Sequence, residues 1–187
     1  MKIFQPHPNY DIKVFDDFLP YSVIMGIHDY CETADYTKNN IDFNEGNNFR
    51  SVKWSKLIVP NENFDRPDII DNILSLLPQF TSTKYKLNRA YINNSNFSTV
   101  DKMHVDAPNN NEYTLLYYAN IKWDINWGGE TLFYDNSAKE IIASIIPKPG
   151  RVVLFQGTIP HSARPVQIHC PEDRYTIALK LKIDSNE

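Results

Sequence analysis

The sequence predicts a mainly β (α+β) chain: an antiparallel β fold, closed or in two sheets, with helices covering one outer face. Three observations carry this. From Lys84 onward the residues fall into short segments rich in β-branched and aromatic side chains, separated by turn clusters of Asn, Gly and Pro. Ahead of them stand two stretches with apolar residues at helical spacing. The final segment, "RYTIALKLKI", alternates strictly: Tyr175, Ile177, Leu179, Leu181 and Ile183 share one face, and Arg174, Thr176, Ala178, Lys180 and Lys182 the other.

In chain order, "VFDDFLPYSVIMGIHDYCE" predicts a short extended piece over Val14 to Phe18 and then a helix with Ile24, Ile27 and Cys31 on one face. The Asn-rich "KNNIDFNEGNNFRS" (38 to 51) predicts a loop. In "RPDIIDNILSLLPQF", Ile70, Ile73, Leu74 and Leu77 recur at helical spacing, with Pro67 near the start and Pro78 at the end. Strands are then predicted near 84 to 92, 98 to 104, 113 to 121, 130 to 134, 140 to 146, 151 to 156, 162 to 168 and 174 to 183. On the polar face of the last strand, Lys180 and Lys182 are expected in solvent, whereas Arg174 and Thr176, at its start, are expected in a cavity.

The 187 residues suit one domain, 1–187, with a helical N-terminal part over about 1–83 and a β core over about 84–183. With 42% hydrophobic and 22% charged residues, disorder is excluded over most of the chain. A net charge of -4 lacks the basic footprint of a protein whose main partner is nucleic acid. No run of eighteen apolar residues occurs and "MKIFQPHPNYDIKVF" has no apolar h-region, so a cytoplasmic protein with no membrane partner is expected. Cys31 and Cys170 read as free thiols, and His7 and His28 as solvated surface histidines.

The chemistry begins with His104 and Asp106 in "KMHVDAPNNNEYTLLYYAN". Residues i and i+2 of extended chain project to one side, so the two side chains can reach one ion. A further histidine, His161, follows an apolar strand and Gly157 in "PKPGRVVLFQGTIPHSARPV". Two imidazoles and one carboxylate are the set that holds a non-haem Fe(II) on one octahedral face, leaving positions open. Arg174 offers an anchor for a cosubstrate, because an arginine at a buried strand position needs a carboxylate or phosphate partner and its planar fork binds carboxylate in a bidentate way. Thr176 could add a hydroxyl from the same face.

In order and approximate spacing, "HVD", "YYANIKWDINWGGETLF", "PKPGRVVLFQGTIPHSARPV" and "RYTIALKL" resemble the His-x-Asp, Tyr-bearing strand, Gly-Gly turn, distal His and Arg-x-Ser/Thr of 2-oxoglutarate and Fe(II)-dependent oxygenases of the prolyl hydroxylase group. The resemblance covers about Lys84 to Ile183. It implies a double-stranded β-helix (jelly roll) with N-terminal helices packed on one sheet. It also implies Fe(II) on His104, Asp106 and His161, and 2-oxoglutarate with its distal carboxylate on Arg174. Tyr118 would donate to that carboxylate, Tyr91 would stand near the iron-chelating end, Thr176 would assist, and Lys180 is the reserve anchor. O2 is the co-oxidant and ascorbate a stimulant. The expected substrate is a prolyl residue of a protein, with a free amino acid or other small molecule as the alternative. Rival readings are a non-catalytic jelly-roll binding module and a cupin-like iron dioxygenase that does not use 2-oxoglutarate.

Trp127, Gly128 and Gly129 are read as a tight turn with no chemistry. Arg164 is expected in solvent. "EGNNFRSVKW", with Arg50 and Trp54, is a candidate substrate lid.

Overall fold

The computed structural model of the chain describes residues 2–17, 19–41, 51–99 and 101–184. Its elements follow in the order β1 (Lys2–Phe4), β2 (Ile12–Asp16), α1 (Tyr21–Thr33), β3 (Thr37–Ile41), β4 (Ser51–Val59), α2 (Pro67–Leu74), β5 (Tyr85–Ser95), β6 (Glu112–Tyr118), β7 (Thr131–Tyr134), β8 (Ile141–Ile145), β9 (Val152–Gln156), β10 (His161–Ala163) and β11 (Arg174–Ile183). Eight strands form one antiparallel sheet in the order β1-β2-β9-β6-β11-β5-β4-β3, and β10-β7-β8 form a second.

The period-two alternation of the central strands sorts their side chains into two cores. Leu115 and Tyr117 of β6, Val152 and Leu154 of β9, and Ile177, Leu179 and Leu181 of β11 pack with Ile27 and Cys31 of α1 and Ile69, Ile70 and Ile73 of α2. Both helices therefore cover one face of the large sheet. The opposite face supplies Tyr118, Val153 and Phe155, which pack with Phe133, Ala143 and Ile145 of the small sheet. Each fully buried Ile contributes about 1.5–3 kcal/mol relative to exposure, so the two layers together hold the central strands in register. No described helix is long and apolar enough to cross a membrane.

The N-terminal part is less helical than the sequence suggested, since β1 to β4 are half of the large sheet. Two of these strands flank the predicted 38–51 loop: β3 runs to Ile41 and β4 begins at Ser51, with 42–50 outside the described residues. Edge pairing runs through backbone groups, which is why Asn39 and Asn40 are admitted to β3 opposite Lys53 and Val52. Phe18, the end of the predicted Val14–Phe18 piece, also lies outside the described residues.

The predicted strand at 98–104 is absent among its described residues except for one bridge at His104. Asn96 turns the chain there, its side chain accepting from Ser98 N at 3.0 Å and its carbonyl from Thr99 N at 3.0 Å. The strand at 162–168 is reduced to β10 and a bridge at Val166, with Pro165 between them unable to donate. His28 is buried, not solvated, edge-on to the Tyr175 ring at 5.9 Å. It completes the i, i+3, i+4, i+7 stripe of Ile24, Ile27 and Cys31 on α1.

Candidate metal and cosubstrate site

Backbone pairing brings the candidate ligands together across 57 residues of sequence. His104 and His161 face each other in an antiparallel bridge and exchange both N–H···O bonds at 2.9 Å. Next to it, the Gly157 carbonyl accepts from Asp106 N at 2.8 Å and Ala107 N at 3.1 Å. A side chain at 157 would bring its Cβ to 2.9 Å from Ala107 Cβ, so glycine is what lets the two segments close.

His104 Nε2 lies 3.6 Å from Asp106 Oδ1, and His161 Nε2 lies 3.3 Å from Asp106 Oδ2. The ligand atoms of the three residues are all within 4.8 Å of one another, and no other such His/Cys/Asp/Glu group occurs among the described residues. The Nδ1 atoms of His104 and His161 lie 2.8 Å from the Lys102 carbonyl and 2.9 Å from the Ile159 carbonyl. A carbonyl can only accept, so each Nδ1 carries a proton, and each Nε2, once deprotonated, would present its lone pair to a metal at the shared centre. His161 is packed against Phe155 at 4.7 Å between ring centroids. The donor set, its tautomers and its convergence fit a divalent iron.

Burial by itself would raise the Asp106 pKa, but the hydrogen bonds from His104 and His161 and the charge of Lys180 outweigh it and hold the carboxyl well below its ordinary range. Burial opposes the charged form of His104, yet Asp106, Asp101 and the Lys102 carbonyl together raise its pKa above the ordinary value.

Lys180 departs from the sequence expectation of solvent. It is buried, its Nζ ion-paired to Asp106 Oδ2 and donating to Thr114 Oγ1 at 3.0 Å, while Thr114 donates to Asp106 Oδ2 at 2.5 Å. Those partners offset part of the cost of burying an ammonium. Desolvation still pushes its pKa below the ordinary lysine value, with Asp106 pulling the other way. Lys182 is exposed, as expected.

One cavity is lined by His104, Asp106 and His161 together with Arg174, Thr176 and Tyr91. Arg174 is 2% exposed. Its Nη2 donates to Thr131 Oγ1 at 3.0 Å, its Nε has no partner, and no carboxylate stands within ion-pair reach among the described residues. A buried guanidinium in that state matches an absent anion, which fits a carboxylate-bearing cosubstrate. The Gly128 and Gly129 turn, at φ +70 and +74, has a packing role as well: a Cβ on Gly129 would stand 3.1 Å from Arg174 Cδ.

Tyr118 stands behind the cavity wall, wholly buried, with its ring 5.1 Å from the Arg174 guanidinium carbon and its hydroxyl 2.7 Å from Thr131 Oγ1. Thr131 thus joins Tyr118 to Arg174. Sequence reasoning missed Thr131, which carries no motif signal beyond following the Gly-Gly turn. It also missed Thr114, although alternation with Tyr118 along β6 places both on the inner face. Arg164 is exposed. Of the candidate lid, Arg50 lies outside the described residues and Trp54 is a half-buried member of β4.

Comparison with known proteins agrees with this geometry. Residues 90–180 match the family described as the 2OG-Fe(II) oxygenase superfamily. No curated protein matches the chain. Among solved structures, a prolyl hydroxylase from Trichoplax adhaerens in complex with a hypoxia inducible factor oxygen degradation domain peptide is similar at TM-score 0.69 and 18% identity, over 94% of this chain and 84% of that one. A prolyl-4-hydroxylase from Pseudomonas putida is similar at TM-score 0.66 and 14% identity, over 94% of each chain. HygX from Streptomyces hygroscopicus, with nickel, 2-oxoglutarate and hygromycin B bound, is similar at TM-score 0.66 and 10% identity, over 94% of this chain and 84% of that one. These likenesses identify the fold as the jelly roll of such enzymes. Residues 90–180, the segment that carries all three candidate metal ligands and the buried arginine, are similar to the 2OG-Fe(II) oxygenase superfamily.

Proposed function

We propose that this oxygenase hydroxylates a prolyl residue of a protein or peptide, with Fe(II) held by His104, Asp106 and His161 and the distal carboxylate of 2-oxoglutarate held by Arg174. The observation that carries the reading is the buried Arg174, with its unpartnered Nε, in the same cavity as the three converging ligands. When bound, iron and 2-oxoglutarate supply the activation of O2, coupling oxidative decarboxylation to succinate and CO2 with hydroxylation of a substrate C–H bond.

This chain's residues supply orientation and exclusion of water. The Lys102 and Ile159 carbonyls fix the imidazole tautomers, and Thr114 and Lys180 hold one oxygen of Asp106. Phe133 and Phe155 keep the His161 side apolar. Thr131 aligns the Arg174 fork, with Tyr118 as its support. Tyr91 and Thr176 add hydroxyls to the wall. Ascorbate stimulation and a cytoplasmic setting belong to the same proposal.

The peptide-bound Trichoplax enzyme supports a peptidyl substrate, and the hygromycin-bound HygX supports a small molecule as the second reading. Calorimetric titration of 2-oxoglutarate into anaerobic protein should show binding that depends on Fe(II) or Mn(II). Prolyl peptides should then stimulate succinate release more than free proline. Metal binding without 2-oxoglutarate binding would overturn the reading in favour of a cupin-like iron site, and stimulation by free proline alone would overturn the peptidyl substrate.

A further inference from the structure

A second cavity, of about 350 Å3, shares Asp106, Thr114 and Lys180 with the first and extends to Arg89, Tyr113 and Glu112. Arg174 and Lys180 stand six residues apart on the inner face of β11, roughly 20 Å at about 3.3 Å per residue. A cosubstrate anchored on Arg174 approaches the metal ligands from one end of that face. The Lys180 end is left for the substrate.

At that end the β11–β5 register sets Lys180 directly opposite Arg89. Like charges at opposed positions destabilise a sheet, and here one of them is buried as well. Arg89 is exposed, with no carboxylate in ion-pair reach among the described residues; its guanidinium carbon lies 5.4 Å from the Tyr91 ring centroid, and Lys180 Nζ lies 5.5 Å from the same centroid. Tyr91 is thus a shelf for two cations. Glu112 lines the cavity too, but its partner across the β6–β11 register is Lys182. Among the described residues the carboxylate ion-paired to Lys180 is Asp106, a candidate metal ligand whose charge a bound metal would share, and Asp101 acts on it from further off.

We propose that Arg89 and Lys180 form a carboxylate-recognition edge for the substrate. On the hydroxylase reading, on which this rests, the substrate is then a proline that carries a carboxylate close to the ring: its own α-carboxylate, or the side chain of an acidic residue beside a peptidyl proline.

The test is calorimetry on the full chain loaded with Mn(II) and 2-oxoglutarate without O2. Two probe pairs separate the two sources: L-proline against L-prolinamide, and N-acetyl-Pro-Glu-amide against N-acetyl-Pro-Gln-amide. In one pair the carboxylate member should bind about tenfold more tightly than its amide, as a charge-assisted contact at a partly exposed site gives. Arg89→Gln should remove that advantage without altering 2-oxoglutarate affinity, and Arg89→Glu should shift preference to N-acetyl-Pro-Lys-amide. Equal binding within both pairs, no binding of any probe, or a preference that survives Arg89→Gln would each overturn the proposal. Failure of 2-oxoglutarate to bind the Mn(II) protein would instead overturn the hydroxylase reading, and it is read in the same titrations.

Discussion

Replacing Arg174 by Met should separate ligand binding from folding in opposite directions. The guanidinium is buried with one hydrogen bond, to Thr131, and an unpartnered Nε. A bidentate contact with a carboxylate would add two charge-assisted hydrogen bonds at roughly 1.5–3 kcal/mol each, so the substitution should cost about 3–6 kcal/mol of 2-oxoglutarate binding. At about 1.4 kcal/mol per tenfold, that is a loss of roughly a hundredfold to ten-thousandfold in Kd.

The ligand-free protein should respond the other way. Exchanging a buried, uncompensated charge for an apolar chain of similar length is neutral or stabilising by up to about 1–4 kcal/mol. For a chain of this size each kcal/mol shifts Tm by about 2–4 °C. Calorimetric titration of 2-oxoglutarate into anaerobic Mn(II) protein, with thermal melts of the ligand-free form, reads both effects. A lowered Tm with unchanged 2-oxoglutarate affinity would refute the reasoning: Arg174 would then be a structural residue, and the anchor would be sought at Lys180.

Asp106→Ala should abolish iron-dependent succinate release and, by leaving Lys180 buried without its ion partner, destabilise the fold by about 3–5 kcal/mol in urea titration; normal release would remove the metal assignment. Gly129→Ala, at φ +74 and with a Cβ 3.0 Å from Trp123 and 3.1 Å from Arg174, should cost about 1–3 kcal/mol of stability and weaken 2-oxoglutarate binding, both read by the same assays. Asp16 is buried at the end of β2, where burial would raise its pKa but Arg151, in a two-pronged contact at 2.7 and 2.9 Å, and Lys148 lower it. A lowered folded pKa gives stability that is present above the ordinary Asp value near 4 and is lost as pH falls through the folded value, so Asp16→Asn should flatten the urea-derived stability profile below about pH 4. A profile as steep as wild type would place the acid-sensitive group elsewhere.

The candidate metal ligands were legible because their signal is local. His104 and Asp106 share a face through i, i+2 spacing, and His161 ends an apolar strand whose hydrophobic run is itself readable. Arg174 was legible for a different reason: alternation placed a cation on the face of β11 opposite Ile177 and Leu179. The same alternation could not say where that face leads. Lys180 lies on it too, and the carboxylate that keeps it buried, Asp106, arrives from 74 residues away through a backbone bridge that no spacing reveals. Edge strand β3 was illegible because backbone pairing admits asparagines that propensity would exclude.

The two faces of β11 also tie the candidate site to folding. Tyr175, Ile177, Leu179 and Leu181 are bound into the helix-side core, so Arg174, Thr176 and Lys180 have no choice but the inner face. A register slip of one residue would send the apolar set into the cavity and the cations under the helices, a cost of several buried Leu and Ile side chains at about 1.5–3 kcal/mol each. The packing of α1 and α2, on the opposite face of the sheet from the cavity, is therefore what fixes the position of Arg174, the proposed cosubstrate anchor. Cavity-forming substitutions beneath those helices, such as Ile73→Ala, reach the site only by loosening this register, and so should lower stability before they alter 2-oxoglutarate affinity.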